Sequence, residues 1–230
     1  MKIIVISDIH GNLEALNALP ESGDELWVLG DLVDYGPSPC EVVKLLRSRA
    51  KIVIRGNHDQ AVGFEDDPRC APRYRKMALE TRDFTTTVMN RDLTRYLRQL
   101  PLQERIERSG RSFYLCHAIP SNPLYGYCPE ESDRWPQEAA QARADFLLVG
   151  HTHTPFIRTV GSTTVVNPGS LGQPKTGKPD ACYAVWQDDQ FELKQFSYPY
   201  KLTTRKLEQL PVSQDVKRDL ETALVTGSLS

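Results

Sequence analysis

Lys2-Ile3-Ile4-Val5-Ile6-Ser7-Asp8-Ile9-His10-Gly11-Asn12 decides the fold: four consecutive β-branched residues run straight into a polar turn holding an acid, an imidazole and a glycine. A short unbroken β-branched run reads as a strand buried on both faces, as in parallel sheets covered by helices. Asn12 is placed to cap the following helix, which carries Leu13, Leu16 and Leu19 on one face. The stretch is one strand-turn-helix unit with its polar residues at the strand's C-terminal end.

The unit recurs. Glu25 to Leu29 reads as a second strand ending at Gly30-Asp31, and Ser38-Pro39-Cys40-Glu41 then gives a capping box with Pro at the first helical position of a helix to about Ala50. Lys51 to Arg55 is a third strand, stopping at Gly56-Asn57-His58-Asp59. From about residue 61 to 100 the sequence turns charged, Arg-rich and helical, which predicts a helical insertion or cap. Strands around Glu104 to Arg108 and Phe113 to Cys116 follow, the latter delivering His117. After a Pro- and Tyr-rich loop from Ala118 to Pro129, a helix over Gln137 to Arg143 leads into Phe146 to Val149 and Gly150-His151-Thr152-His153. Phe156 to Val160, Thr163 to Val166, Tyr183 to Gln187 and Phe191 to Phe196 read as a second sheet, and Ser213 to Gly227 as a closing helix with Val216, Leu220 and Leu224 on one face. No internal repeat or low-complexity linker interrupts the chain, so the expected organisation is one α/β domain over residues 1–230.

Composition narrows the function classes. With 28 Lys and Arg against 30 Asp and Glu the net charge is −2, so no global basic field draws the chain to an anionic membrane or holds it stably on nucleic acid. The apolar opening is too short for a signal peptide or a membrane span, which predicts a cytoplasmic protein. Five cysteines without CxxC spacing fit reduced thiols better than disulfides or a zinc knuckle. Cys116 reads as a small buried strand residue, and Asp59 reads equally as a helix cap or a support for its neighbours and as a catalytic acid.

All five histidines, His10, His58, His117, His151 and His153, stand beside glycines, acids or an asparagine in short dispersed clusters. In open α/β sheets the strand C-termini line one edge, so loops far apart in sequence converge on a common crevice. Asp8, His10, Asp31, Asn57, His117, His151 and His153 would meet there. This set of oxygen and nitrogen donors suits two first-row divalent ions, which a shared carboxylate can hold about 3.5–4 Å apart for hydrolytic chemistry.

The ordered set Ser7-Asp8-Ile9-His10, Gly30-Asp31-Leu32-Val33-Asp34, Gly56-Asn57-His58-Asp59, His117 and Gly150-His151-Thr152-His153 resembles the calcineurin-like metallophosphoesterase superfamily, over about Met1 to Pro174. The resemblance implies a four-layer αββα sandwich of two mixed sheets flanked by helices. It implies that Asp8, His10, Asp31 and His153 bind one metal and Asp31, Asn57, His117 and His151 the other, with Asp31 as the bridge. The ions would be Mn, Fe, Ni or Zn, with Mn favoured. His58 would be no ligand but a proton donor to the leaving group, oriented by Asp34, while a hydroxide bridging the metals attacks phosphorus.

Where the Ser/Thr phosphatase branch has an arginine clamping the phosphate, this chain has Tyr35, which argues against a protein phosphatase. Asn167-Pro168-Gly169-Ser170 followed by Gln173-Pro174 is instead similar to the small prokaryotic phosphodiesterase branch. The expectation is a phosphodiesterase acting on a small phosphoester or nucleotide. A phosphomonoesterase or dinucleoside polyphosphate hydrolase on the same site is the alternative, and a non-catalytic scaffold, which would have eroded ligands, is disfavoured. A homo-oligomer is compatible with this reading. Asn122, Tyr125 and Tyr127 offer surfaces for a nucleobase or simply pack their loop, and Arg69, Arg73, Arg75, Lys76 and Arg82 offer either extra phosphate contacts or a solvated helix face.

Overall fold

A computed structural model describes residues 1–228, so the last two positions of the expected 1–230 unit lie outside the described residues. Strand β1 (Ile3–Ile6) lies at the centre of the first sheet. Its side chains alternate: Ile3 and Val5 join an aromatic core between two sheets, while Ile4 and Ile6 pack outward against helices. The β-branched run is buried on both faces because each face has its own partner layer.

Parallel pairing joins β1 to β2 (Glu25–Val28) and β2 to β3 (Ile52–Val53). The second sheet contains β4 (Gln103–Arg108), β5 (Arg111–Cys116), β6 (Phe146–Leu148), β7 (Phe156–Val160) and β8 (Thr163–Asn167), in the order β4-β5-β6-β8-β7. The last two strands depart from expectation. β9 (Ala181–Gln187) and β10 (Gln190–Phe196) do not extend this sheet but return to the first, β9 running antiparallel beside β1 to give the order β10-β9-β1-β2-β3. The strands were recognisable and their sheet was not, because alternation reports burial and says nothing of hydrogen-bond partners. Both sheets are mixed and five-stranded.

Phe113 lies at the centre of the layer between the sheets, with ring centroids 5.1 Å from Trp27, 5.0 Å from Phe146 and 5.3 Å from Trp186. On the outer face of the first sheet lie α1 (Leu13–Asn17), α2 (Pro39–Arg49) and α5 (Arg91–Gln99), and on that of the second lies α6 (Trp135–Ala142). The two facing sheets with helices outside them form the expected four-layer α/β sandwich.

The charged segment is helical, starting earlier than expected: α3 (Asn57–Phe64), α4 (Pro72–Val88) and α5. Tyr74, Met77 and Ala78 of α4 pack on Val216, Leu220 and Leu224 of α8 (Gln214–Thr226), next to α7 (Tyr200–Leu207), a helix the sequence reading did not anticipate. Two local expectations separate. Asn12 caps α1, its Oδ1 accepting from Ala15 N at 3.2 Å, but α1 ends before Leu19. Ser38 makes no side-chain cap bond, because its backbone (φ −126°, ψ 50°) lies outside the extended geometry that aims a hydroxyl at the first turn.

Candidate metal centre and active site

Every site residue proposed from sequence follows the C-terminal end of a strand, and the structure brings the set together at one edge shared by both sheets. Asp8 follows β1, Asp31 follows β2, Asn57 follows β3, His117 follows β5, and His151 and His153 follow β6. Turning sharply off these strands requires unusual backbone. Asp8, His10, Asp31, Asp34, Tyr35, His151 and His153 all have positive φ, between 47° and 65°. Asp and His tolerate this region better than most residues, whereas a tyrosine there is held by its surroundings. Close backbone approach adds a second constraint: a Cβ on Gly56 would lie 2.1 Å from Asp31 Oδ1, and one on Gly150 2.0 Å from Ser7 Oγ.

The donors fall into overlapping groups. Asp8, His10 and His153 place one atom each within 4.8 Å of one another, as do Asp31, His117 and His151, and as do His10, Asp31 and His58. Their orientation is set from behind. The Nδ1 atoms of His10, His117 and His153 donate to the carbonyls of Val33 (3.0 Å), Leu29 (2.7 Å) and Gln173 (2.6 Å), which turns each Nε2 toward the cluster. Asn57 Nδ2 donates to Pro68 O at 2.7 Å, so its Oδ1 faces His117 Nε2 at 3.0 Å and His151 Nδ1 at 3.1 Å. Asp31 Oδ2 lies 3.8 Å from His10 Nε2 and 3.3 Å from His117 Nε2, within reach of both groups. Asp59 holds the turn, its carboxylate accepting from the backbone N–H groups of Asp31, Leu32 and Gly56, all at 2.9 Å. That is the supporting role rather than a catalytic one.

These residues fit divalent cations on their own chemistry. His10 Nε2 and His153 Nε2 face each other at 3.2 Å while both Nδ1 atoms are engaged as donors, so two lone pairs converge. Asp8 Oδ1 is fully buried, lacks a hydrogen-bond partner, and lies 3.3 Å from His153 Nε2. Two convergent lone pairs and an orphaned carboxylate oxygen form a cation site. Burial, with smaller opposing help from Asp31, keeps His10 neutral well below the usual imidazole range. Burial also lowers His153, with Lys175 adding to the effect, and burial and His117 push His151 down to about 3. His117 goes the other way: against burial, Asp31 raises it to about 9, and a metal bound there would displace that proton.

His58 differs from the others in the partner of its Nδ1. Its Nδ1 bonds Asp34 Oδ2 at 2.8 Å, and against the effect of burial Asp31 and Asp34 together raise its pKa. Tyr35 is wedged beside it, with ring centroids 4.7 Å from His58 and 4.6 Å from His10. The cluster opens into a cavity of about 270 Å³ whose wall includes His58, His151, Tyr74, Tyr125, Tyr127 and Lys175. Tyr125 is covered by Arg69, 4.6 Å over its ring, and Tyr127 is 64% exposed. Asn122 serves its own loop, its Oδ1 accepting from Tyr125 N at 3.4 Å.

The Asn167 to Gln173 segment returns past the centre as expected: Ser170 Oγ donates to Asp8 O at 2.7 Å and Gly172 N to the same carbonyl at 3.0 Å. Sequence reasoning missed Lys175, two residues further on, and Tyr74 of α4. Neither belongs to a motif; only the fold carries them to the cavity.

A sheet-edge cluster of Asp, Asn and His donors is suited to hydrolytic chemistry on divalent ions. The chain belongs to the calcineurin-like phosphoesterase superfamily, whose domain profile matches residues 1–190, and the family match makes that chemistry phosphoester hydrolysis. It is 30% identical over 204 residues to the phosphodiesterase YfcE of Escherichia coli, covering 82% of this chain and 89% of that protein. It is 47% identical over 68 residues, 26% of this chain and 24% of the relative, to the symmetrical bis(5'-nucleosyl)-tetraphosphatase of Buchnera aphidicola. A metallophosphoesterase structure from Sphaerobacter thermophilus superposes with a TM-score of 0.80 at 26% identity, covering 98% and 100% of the two chains. Among the described residues no helix is long and apolar enough to cross a membrane.

Proposed function

We propose that the chain hydrolyses small phosphoesters, phosphodiesters first, with Asp8, His10, Asp31 and His153 holding one divalent ion and Asp31, Asn57, His117 and His151 a second. The observation that carries this is the pairing of a convergent ligand set with a separate His58–Asp34 hydrogen bond at 2.8 Å. Asp31 is the shared ligand, in keeping with the reach of its Oδ2 to both groups. Mn²⁺ is the favoured ion, with Fe, Ni and Zn as alternatives. When bound, such ions supply Lewis-acid charge that acidifies water and neutralises the non-bridging phosphoryl oxygens.

The chain's own contribution is positioning and proton transfer. His58 also reaches a donor group with His10 and Asp31, but its Nδ1 is held by a carboxylate, Asp34 Oδ2 at 2.8 Å, rather than by a carbonyl or amide oxygen, which favours its protonated form. The protonated ring lines the cavity and gives its proton to the leaving-group oxygen as the bond from phosphorus to that oxygen breaks. Asp34 keeps Nδ1 engaged and so presents Nε2. Water supplies the new oxygen, so no covalent phosphoenzyme forms.

YfcE's name supports the diester reading, and the tetraphosphatase relative supports a dinucleoside polyphosphate as the second. The retained ligand set argues against a scaffold. We take the described chain as one metallophosphoesterase domain, and place it in a reducing cytoplasm in keeping with five free thiols. Protein reconstituted with Mn²⁺ is expected to turn over bis(p-nitrophenyl) phosphate faster than p-nitrophenyl phosphate. The reverse order would overturn the diester preference.

A further inference from the structure

Of the five cations singled out on the Arg-rich segment, three are committed to acids on the protein: Arg75 to Asp67 at 2.7 Å, Lys76 to Asp215 at 3.4 Å and Arg82 to Asp83 at 2.8 Å. Arg69 lies 4.0 Å from Asp66 and covers Tyr125. Arg73 has no carboxylate within 4.0 Å among the described residues, and neither does Lys175. Both cations are set against one ring: Arg73 Cζ is 4.8 Å and Lys175 Nζ 4.5 Å from the centroid of Tyr74. Tyr74 is buried at 7% exposure and is fixed by α4 packing on α8, so this pair has a rigid base.

We propose that Lys175, on the cavity wall with Tyr74 and backed by Arg73 on the same ring, forms a subsite for a second phosphate, so that the preferred substrate carries an anionic group beyond the one at the Asp/His cluster. The proposal rests on the phosphoester-hydrolase reading and narrows it to polyanionic nucleotides, such as dinucleoside polyphosphates, over singly charged diesters. Lys175 is a cavity-wall cation without an acid within 4.0 Å among the described residues, and a phosphate beside it accepts charge-assisted hydrogen bonds from the ammonium while Arg73 adds to the positive field. Burial, reinforced by Arg73 and opposed by Asp8, pulls the Lys175 ammonium down to about 8, consistent with a cation lacking its counterion. Position also fits: the segment that accepts the His153 Nδ1 hydrogen bond at Gln173 O carries Lys175 two residues later, so the subsite is anchored to the metal ligands themselves.

The test compares diadenosine tetraphosphate with bis(p-nitrophenyl) phosphate on the Mn²⁺-loaded protein. For Lys175→Gln the ratio of kcat/KM between tetraphosphate and simple diester is expected to fall at least tenfold, through KM rather than kcat, with Lys175→Arg restoring most of it. Binding is read separately by calorimetry of diadenosine tetraphosphate on Mn²⁺-loaded His58→Ala protein, where adding Lys175→Gln is expected to raise Kd at least tenfold. An unchanged ratio and Kd, or equal losses on both substrates, would overturn the subsite. If wild-type protein binds Mn²⁺ but hydrolyses neither compound, the hydrolase reading fails, and the calorimetric Kd still decides the subsite.

Discussion

In the proposed function the histidines are divided between two tasks, four holding metal and His58, paired with Asp34, giving a proton. The Nδ1 atoms of four histidines meet carbonyl or amide oxygens, whereas His58 spends Nδ1 on a carboxylate that helps to raise its pKa. Asp34→Asn is therefore expected to lower the His58 pKa and shift the alkaline limb of the kcat/KM profile to lower pH, since the proton donor is lost earlier as pH rises. A pH series on the variant checks this; a uniformly lower profile with no shift would reduce Asp34 to packing. At this scale the ligands were legible because each stands in a short motif beside a strand end. Lys175 and Tyr74 were not, because a lysine after Pro174 and a tyrosine on a charged helix look like any others until α4, α8 and the returning segment meet.

Elements are joined by few but specific ties. Glu21, between α1 and β2, accepts from Lys194 of β10 and Tyr183 of β9, both at 2.7 Å, and from Lys2 at 2.6 Å. Lys194, Lys2 and Tyr183 together lower its pKa from 4.5 to about 2. Because the folded value is depressed, the tie stabilises fully above about 4.5 and is lost as pH falls toward about 2. With its side chain 23% exposed, the pair with Lys2 is screened by solvent and contributes on the order of 1 kcal/mol or less. Glu21→Gln should lower the melting temperature at pH 7 and leave it near wild type at pH 2.5, as thermal scans would show; an equal deficit at both would contradict the charge account. This tie also bears on the misassigned strands. β9 and β10 were visible as strands, but their return to β1 depends on contacts such as Glu21 to Lys194, which span 173 residues and leave no local pattern.

Across the whole molecule, the aromatic layer between the sheets holds one half of the proposed ligand set against the other. Asp8, His10, Asp31 and Asn57 come from the first sheet, His117, His151 and His153 from the second, and His151 N donates to Asp8 Oδ2 at 3.1 Å across the join. Phe113 is central to that layer, so Phe113→Ala is expected to cost roughly 3–5 kcal/mol and to weaken metal binding together with stability. Denaturant unfolding with and without Mn²⁺ would test it; a destabilised protein with unaltered metal affinity would show that the sheets hold register without the ring. The strand–helix alternation was legible in the recurring strand-then-ligand units and the αββα layering followed from the family resemblance, while the docking of α4 on α8 was not foreseeable, since neither helix carries a signal naming its partner. The most direct test of the account is the metal content of two variants, measured beside their turnover. His58→Ala is predicted to keep its metal and lose roughly 10²–10⁴-fold in kcat, whereas Asp31→Ala loses metal and activity together. Loss of metal from His58→Ala would contradict the division of labour among the histidines.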